Sequence, residues 1–218
     1  MKKMHFASLV ALSLAMGTGA AFAQDKKEEM PGPAVEKYAK DFLAKWSKDP
    51  KLLAAIKAST AEHKKMSLDD VTVMDSQWRV AKSGPEKEKK AVDSLTELTK
   101  DSLEVNTKKG EELIKAARGN ATSKFLTEQM EKAEPKGAVT EIFVMDGWGW
   151  NVGQTGGTSD YYQGDEGKWQ KTFASDGVEV LPIVEEDGVR YSHVSLPIKD
   201  GDKNIGAVTI GVDVSKVK

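Results

Sequence analysis

The sequence predicts an α+β protein in which N-terminal helices pack on a C-terminal five-stranded antiparallel sheet. Three observations lead there. Apolar residues recur at helical spacing from Ala34 to Lys132, whereas the strand patterns all follow the breaker cluster Pro135-Lys-Gly137. Three of the five tryptophans, Trp148, Trp150 and Trp169, fall between Thr140 and Asp213 together with the densest mixture of aromatic and polar groups. The last strand patterns are joined by turns too short for a crossover, which makes them antiparallel.

The chain has 218 residues and begins like an exported protein. Met1-Lys-Lys-Met-His5 is basic, Phe6 to Met16 is apolar, and Ala21-Phe-Ala23 has the small-x-small form of a cleavage site. This is the layout of a secretory signal peptide, with cleavage expected after Ala23. The apolar stretch is broken by Gly17 and Gly19 and falls short of the ~20 residues needed to span a bilayer. No later stretch is a transmembrane candidate, so a periplasmic, free-standing mature chain is expected. Removing Lys2 and Lys3 leaves 30 basic residues against 34 acidic ones, a net charge of −4. That balance argues against nucleic acid or anionic lipid as the main partner. With no cysteine, thiolate catalysis, covalent c-type haem and cysteine metal sites are excluded.

Residues 24–33 are charged and end in Met-Pro-Gly-Pro, which reads as a disordered leader. A helical region is expected over 34–134. Val35, Tyr38, Phe42, Leu43 and Trp46 mark its first helix. Asp49-Pro50 looks like an N-cap with proline at the first helical position. Ser67 and Asp70 resemble a capping box opening a third helix that carries Val71, Met74 and Trp78. Gly84-Pro85 interrupts, and residues 86–117 are charged and helix-forming. A heptad through Ala91, Leu95, Leu98, Ser102 and Val105 fails at Lys109 and Glu112, so an amphipathic helix or hairpin is favoured over a long coiled coil. A short dimer-forming helix pair, and hence a homodimer, stays open.

Beyond Gly137 the pattern gives a strand over Val139–Met145 and a short one over Trp150–Gly153. A helix is expected over Asp160–Phe173 with Ser159 as cap. Strands are expected over Val178–Val184, marked as an edge or bulge by Pro182, then Val189–Ile198 and Ile205–Val214.

Two tempting motifs fail by position. Asp200-Gly-Asp-Lys-Asn204 begins like a calcium loop but has Ile205 where the turn glycine belongs and Gly211 in place of the bidentate glutamate. Gly147-Trp-Gly149 starts like a dinucleotide fingerprint but has Val152 at the third glycine and joins strand to strand. His63 and His193 have no metal-ligand spacing or serine-elbow context, so neither a metal site, a cofactor nor enzymatic turnover is expected. In the Val189–Ile198 strand, Val194, Leu196 and Ile198 point one way and Tyr191, His193 and Ser195 the other. The second face fits plain solvent exposure, as antiparallel sheets allow. It equally fits a pocket roofed by the Asp160–Phe173 segment, with Tyr161, Tyr162 and Trp169 as walls. Asp165 and Glu166 read as solvated residues or ligand anchors. Asp213 reads as a turn cap or as the receiver of an ammonium group.

The runs Thr140-Glu-Ile-Phe-Val-Met-Asp146, Asn151-Val-Gly-Gln154, residues 158–171, Val194-Ser-Leu-Pro-Ile198 and Ile205-Gly-Ala-Val-Thr-Ile-Gly-Val-Asp213 closely resemble the Cache (PDC sensor) domains of bacteria. A looser match surrounds Asp75-Ser-Gln-Trp78-Arg79. The resemblance implies a PAS-like sensor domain over residues 135–218, with 87–111 as a charged helical insertion. It also implies extracytoplasmic binding, without turnover, of a small polar metabolite of the amino-acid, carboxylate or amine class. It points to Tyr161, Tyr162, Asp165, Trp169, Tyr191, His193 and Ser195 around the ligand, with Asp213 as a further candidate. Ser159-Asp160 stand where related amino-acid sensors carry an arginine before an aromatic pair, which leaves the ligand class open. A signal would pass to a separate membrane receptor or kinase. The rival expectation is a structural or interaction module that has lost the pocket.

Overall fold

The computed structural model describes residues 28–218, so the signal-peptide reading of residues 1–23 lies outside the described residues. Helix α1 (Pro33–Ala44) buries Val35, Ala39, Phe42 and Leu43, a stripe at helical spacing. Helix α2 (Pro50–His63) starts where the Asp49 carboxylate accepts from the N–H groups of Lys51, at 2.8 Å, and Leu52, at 3.1 Å. Helix α3 (Leu68–Ser83) opens with the reciprocal Ser67/Asp70 box.

The charged stretch is a helical hairpin, α4 (Lys89–Leu98) and α5 (Leu103–Gly119). The heptad runs through Ser102, yet Ser102 is the N-cap of α5: its hydroxyl accepts from the Val105 N–H at 3.3 Å. The hairpin packs on α3. Buried Gln77 donates to Asn106 at 2.9 Å, and a Cβ on Gly110 would lie 2.0 Å from the Gln77 carbonyl oxygen. Glycine is what lets the two helices approach that closely. Helix α6 (Ala121–Glu131) is capped by Asn120, whose amide also donates to the Val152 carbonyl at 2.9 Å and so ties the helix to the sheet.

The strands are β1 (Val139–Met145), β2 (Asn151–Gln154), β3 (Glu179–Val180), β4 (Val184–Glu186), β5 (Val189–Asp200) and β6 (Lys203–Asp213), with helix α7 (Gly167–Gln170) between β2 and β3. They form one antiparallel sheet in the order β2-β1-β6-β5-β3, and β4 also pairs with β5. The α+β architecture follows the sequence expectation, with two differences.

The strand expected over Val178–Val184 is two short pieces, which makes six strands rather than five. Pro182 between them has no N–H for the ladder. The Ile183 N–H turns instead to the Glu29 carbonyl, at 2.7 Å, and the Glu29 carboxylate pairs with Arg190 at 2.6 Å.

The helix expected over Asp160–Phe173 is confined to the four residues of α7, and Glu166, not Ser159, stands at its N-cap position. The preceding loop satisfies its backbone through tertiary partners. Asp75 accepts from the N–H groups of Tyr161 and Tyr162, each at 2.9 Å, and the Gln163 N–H donates to the Gly149 carbonyl at 2.8 Å. Gly164 allows this path, since a Cβ there would lie 2.3 Å from the Tyr162 hydroxyl.

One face of the sheet holds the main core. Ile142 and Val144 of β1, Val194, Leu196 and Ile198 of β5, and Val208, Ile210 and Val212 of β6 pack with Phe42, Leu52 and Ile56 of the helices. Each such side chain contributes about 1.5–3 kcal/mol of transfer free energy. On the other face Phe143, Met145 and Ala207 lie under Trp169 and Phe173. Among the described residues no helix is long and apolar enough to cross a membrane.

Candidate functional site

The second face of the sheet carries a polar cluster whose geometry follows from strand register. Glu141 on β1 pairs with Gly211 on β6, and Gly211 pairs with His193 on β5. Adjacent strands lie about 4.8 Å apart, so Glu141 and His193 stand two strand spacings from each other. Gly211 has no side chain to come between them. The Glu141 carboxylate therefore reaches the His193 Nε2 across β6. A Cβ on Gly211 would lie 2.3 Å from the Thr140 hydroxyl and 3.1 Å from the Glu141 Cγ.

A cavity of about 360 Å³ opens over this pair. Its floor is Glu141, Phe143 and His193, with Tyr191 at one side. The wall includes Lys82 from the end of α3, Lys168 from α7, Gln163 from the loop and Glu186 from β4. Gln163 is buried, and its amide oxygen has no partner among the described residues. Lys168 holds its ammonium 5.7 Å from the centre of the Phe143 ring, while it pairs with Glu166 at 2.9 Å. Burial pushes the Glu141 carboxyl up, but the hydrogen bond and charge of His193, with Lys168 and Lys82 behind them, outweigh it and hold the group below its usual range. Burial, then the hydrogen bond to Glu186, pushes the Tyr191 phenol up to about 12, so it stays a neutral donor. The cavity is thus lined by two lysines, a carboxylate paired with an imidazole, and a second carboxylate, Glu186, that accepts from the Tyr191 phenol at 3.0 Å, against an aromatic floor. Such a set binds and orients a small charged solute.

The loop above the cavity is anchored to α3. Trp78, fully buried, stacks on Tyr161 with ring centroids 4.8 Å apart and donates its indole N–H to the Thr158 carbonyl at 3.0 Å. Arg79 pairs with Asp160 at 2.8 Å and Glu88 at 2.9 Å, beside Asp75. Burial, with repulsion from Asp160, raises the Asp75 carboxyl to about 6 although two N–H groups and Arg79 oppose the shift.

Of the residues singled out from the sequence, Tyr191 and His193 line this cavity. Tyr161 lies between Trp78 and Trp150 in an aromatic stack, and burial raises its phenol to about 12. Tyr162 packs on Trp150, and exposed Asp165 lies nearby in the loop. Trp169 stacks on Phe173 and donates to the Asp146 carbonyl at 3.0 Å, lying on the same sheet face without lining the cavity. Ser195 is buried and bonded to Thr209 at 2.8 Å. Asp213 caps the chain end, accepting from the Ser215 N–H at 2.9 Å and its hydroxyl at 2.6 Å. The structure therefore brings together two of the eight.

Glu141, Lys82, Lys168 and Gln163 were not singled out. Glu141 had a signal: it is the single charge within the apolar run from Val139 to Met145, on the same side as Phe143. The two lysines had none, because nothing local distinguishes them from solvated lysines.

A second polar cluster joins Ser59, His63 and Asp146. The Asp146 Oδ2 accepts from the Ser59 hydroxyl at 2.7 Å and lies 2.7 Å from the His63 Nδ1. Its Oδ1 accepts from the N–H groups of Trp148, at 2.8 Å, and Trp150, at 3.0 Å. The Ser59 hydroxyl also lies 3.2 Å from the same His63 Nδ1 that faces Asp146, so serine and carboxylate meet one ring nitrogen and no proton is relayed from one nitrogen of the imidazole to the other. This is a pin between α2 and the turn after β1. Among the described residues no group of three or more histidines and carboxylates is placed to hold a metal ion.

No family model matches the chain. No curated protein matches it either. Among solved structures, it is similar to the sensor domain of the V. cholerae histidine kinase DctB, at 12% identity and a TM-score of 0.30 over 83% of this chain. The chain spans 58% of the length of that domain. It is also similar to the sensory domain of the Campylobacter jejuni chemoreceptor Tlp3 (CcmL) with isoleucine bound, at 12% identity and a TM-score of 0.32, covering 86% of this chain and 69% of that one. The ligand-binding domain of the same chemoreceptor in complex with L-valine matches with the same values.

Proposed function

We propose that this chain is an exported, periplasmic sensor-type domain that binds a small polar metabolite in the cavity over the Glu141–His193 pair and does not transform it. The observation that carries the reading is the register itself. A glycine in the central strand lets a carboxylate and an imidazole meet on the floor of a cavity rimmed by two lysines and a phenol. A volume of about 360 Å³ lies at the small end of ligand pockets and suits a metabolite of the amino-acid, carboxylate or amine class. The resemblance of residues 140–213 to Cache domains and the signal-peptide pattern support the same reading. Chemistry is disfavoured because His193, the imidazole of the cavity, is paired with Glu141 and not with a hydroxyl or other nucleophile. Signalling would require a ligand that binds one of two conformations better, with a membrane receptor or kinase as the separate output.

A thermal-shift screen of amino acids, carboxylates and amines tests this. A stabilising compound should lose its effect in Tyr191→Ala and His193→Ala while both variants keep the native circular dichroism. If no compound stabilises the protein and none co-purifies with it, the interaction-module reading replaces this one. Turnover of a stabilising compound would make the protein an enzyme.

A further inference from the structure

We propose that the chain carries a second ligand site, sharing no lining residue with the first, that takes a small anion bearing an aromatic ring. It lies at the end of the sheet where α2, the turn after β1 and the β5–β6 hairpin meet around a cavity of about 460 Å³. The six residues that argue for it are Lys57, Lys64, Lys203, Asp200, Trp148 and Phe173.

The presentation of Trp148 comes first. It is the one aromatic residue among the exposed large apolar side chains described, with 46% of its surface open to solvent. An indole left in water forgoes burial worth a few kcal/mol. This one is not on a loose loop. The Trp148 backbone N–H is held by the Asp146 carboxylate, which is itself fully buried and bonded to Ser59 and lies against His63. The neighbours on both sides are glycines for steric reasons. A Cβ on Gly147 would lie 3.0 Å from the Thr60 methyl, and Gly149 has φ +92° with Gly164 only 2.3 Å from where its Cβ would be. The turn is pressed against α2 and the loop, and Trp148 is the side chain it holds outward. A rigid aromatic wall loses little conformational entropy when a ring stacks on it.

The charge comes second. Three lysines line the cavity against one acidic residue, Asp200. Lys57 pairs with Asp200, and Lys64 and Lys203 have no carboxylate within ion-pair distance among the described residues. The cavity therefore carries an excess of two positive charges in a chain whose net charge is −2. Apolar walls from Trp148 and Phe173 focus that field more than open solvent would. An aromatic surface beside unpaired cations selects a ligand that has both a ring and a negative group. A volume of about 460 Å³ admits one ring with its acidic group and little more.

The probe is phenyl phosphate, titrated into the purified ¹⁵N-labelled protein while the indole N–H resonances are followed. The Trp148 signal, assigned from its disappearance in Trp148→Phe, should shift saturably. Trp148→Ala, and the double variant Lys64→Ala/Lys203→Ala at exposed positions, should each weaken binding by about tenfold or more, the equivalent of about 1.4 kcal/mol. Inorganic phosphate lacks the ring and benzyl alcohol lacks the charge, so each should bind at least about tenfold more weakly than the probe. His193→Ala should leave the affinity unchanged, which separates this site from the cavity over β6. The proposal is overturned by the absence of a saturable shift up to about 10 mM probe, or by equal affinity in the lysine variant. Inorganic phosphate binding as tightly as the probe would equally overturn it, as would loss of binding in His193→Ala.

Discussion

Replacing Asp75 with asparagine should make the protein more stable at neutral pH, although it removes a charge from an ion-pair network. Asp75 is mostly buried, its Oδ1 accepts the N–H groups of Tyr161 and Tyr162, and Arg79 is no nearer than 4.0 Å. Asparagine keeps the carbonyl oxygen that accepts those two bonds. What it removes is the burial of a negative charge beside Asp160. Burial is the main cause that lifts the group from its ordinary value of 3.8 to about 6 in the folded protein. A carboxyl raised in this way binds its proton more tightly when folded. Ionised Asp75 therefore costs stability in full above about pH 6, and the cost fades as pH falls from about 6 towards 3.8. At about 1.4 kcal/mol per pH unit, the interval corresponds to at most about 3 kcal/mol. Because part of the side chain reaches solvent, a gain of about 1–2 kcal/mol is expected for Asp75→Asn at pH 8. Urea unfolding monitored by tryptophan fluorescence at pH 8, 6 and 4 measures it. The gain should shrink steadily and vanish near pH 4. A variant less stable than the parent at pH 8, or a difference that does not change with pH, would show that the ionised carboxylate is needed to hold the loop.

Three further outcomes follow from packing and hydrogen bonding. Gly211→Ala should cost about 1–3 kcal/mol by overpacking against Thr140 and Glu141, and the ring resonances of His193 should move as its carboxylate partner is pushed away. Gly110→Ala places a methyl 2.0 Å from the Gln77 carbonyl oxygen, so helix α5 must separate from α3, with a loss of about 2–3 kcal/mol in chemical denaturation. Asp146→Ala strips the acceptor from the Trp148 and Trp150 N–H groups and should cost about 2–5 kcal/mol, measured the same way.

Local rules read well wherever one segment contains its own cause. Asp49-Pro50 and Ser67 with Asp70 started helices where their side chains can cap them, because a cap needs only three or four consecutive residues. The alternation along β5 separated Val194, Leu196 and Ile198 from Tyr191, His193 and Ser195, because a pleated strand alternates whatever surrounds it. The segment Asp160–Phe173 failed the same test. Its aromatic spacing suits a helix, yet Asp75, 86 residues away from Tyr161, supplies the acceptor that holds it as a loop. Ser102 likewise fitted a heptad, and its capping of α5 outweighed that spacing.

From the residues alone came the α+β class, the export pattern, the helix starts and the polar face of β5. The sequence could place His193 on that face but not beside Glu141, 52 positions earlier, since the meeting depends on the order β1-β6-β5 and on a glycine in the strand between them. Nor could it collect Lys82 and Lys168 on one rim. Caps and strand alternation are properties of neighbouring residues, whereas the cavity is made by strand order and register, which only the folded chain decides.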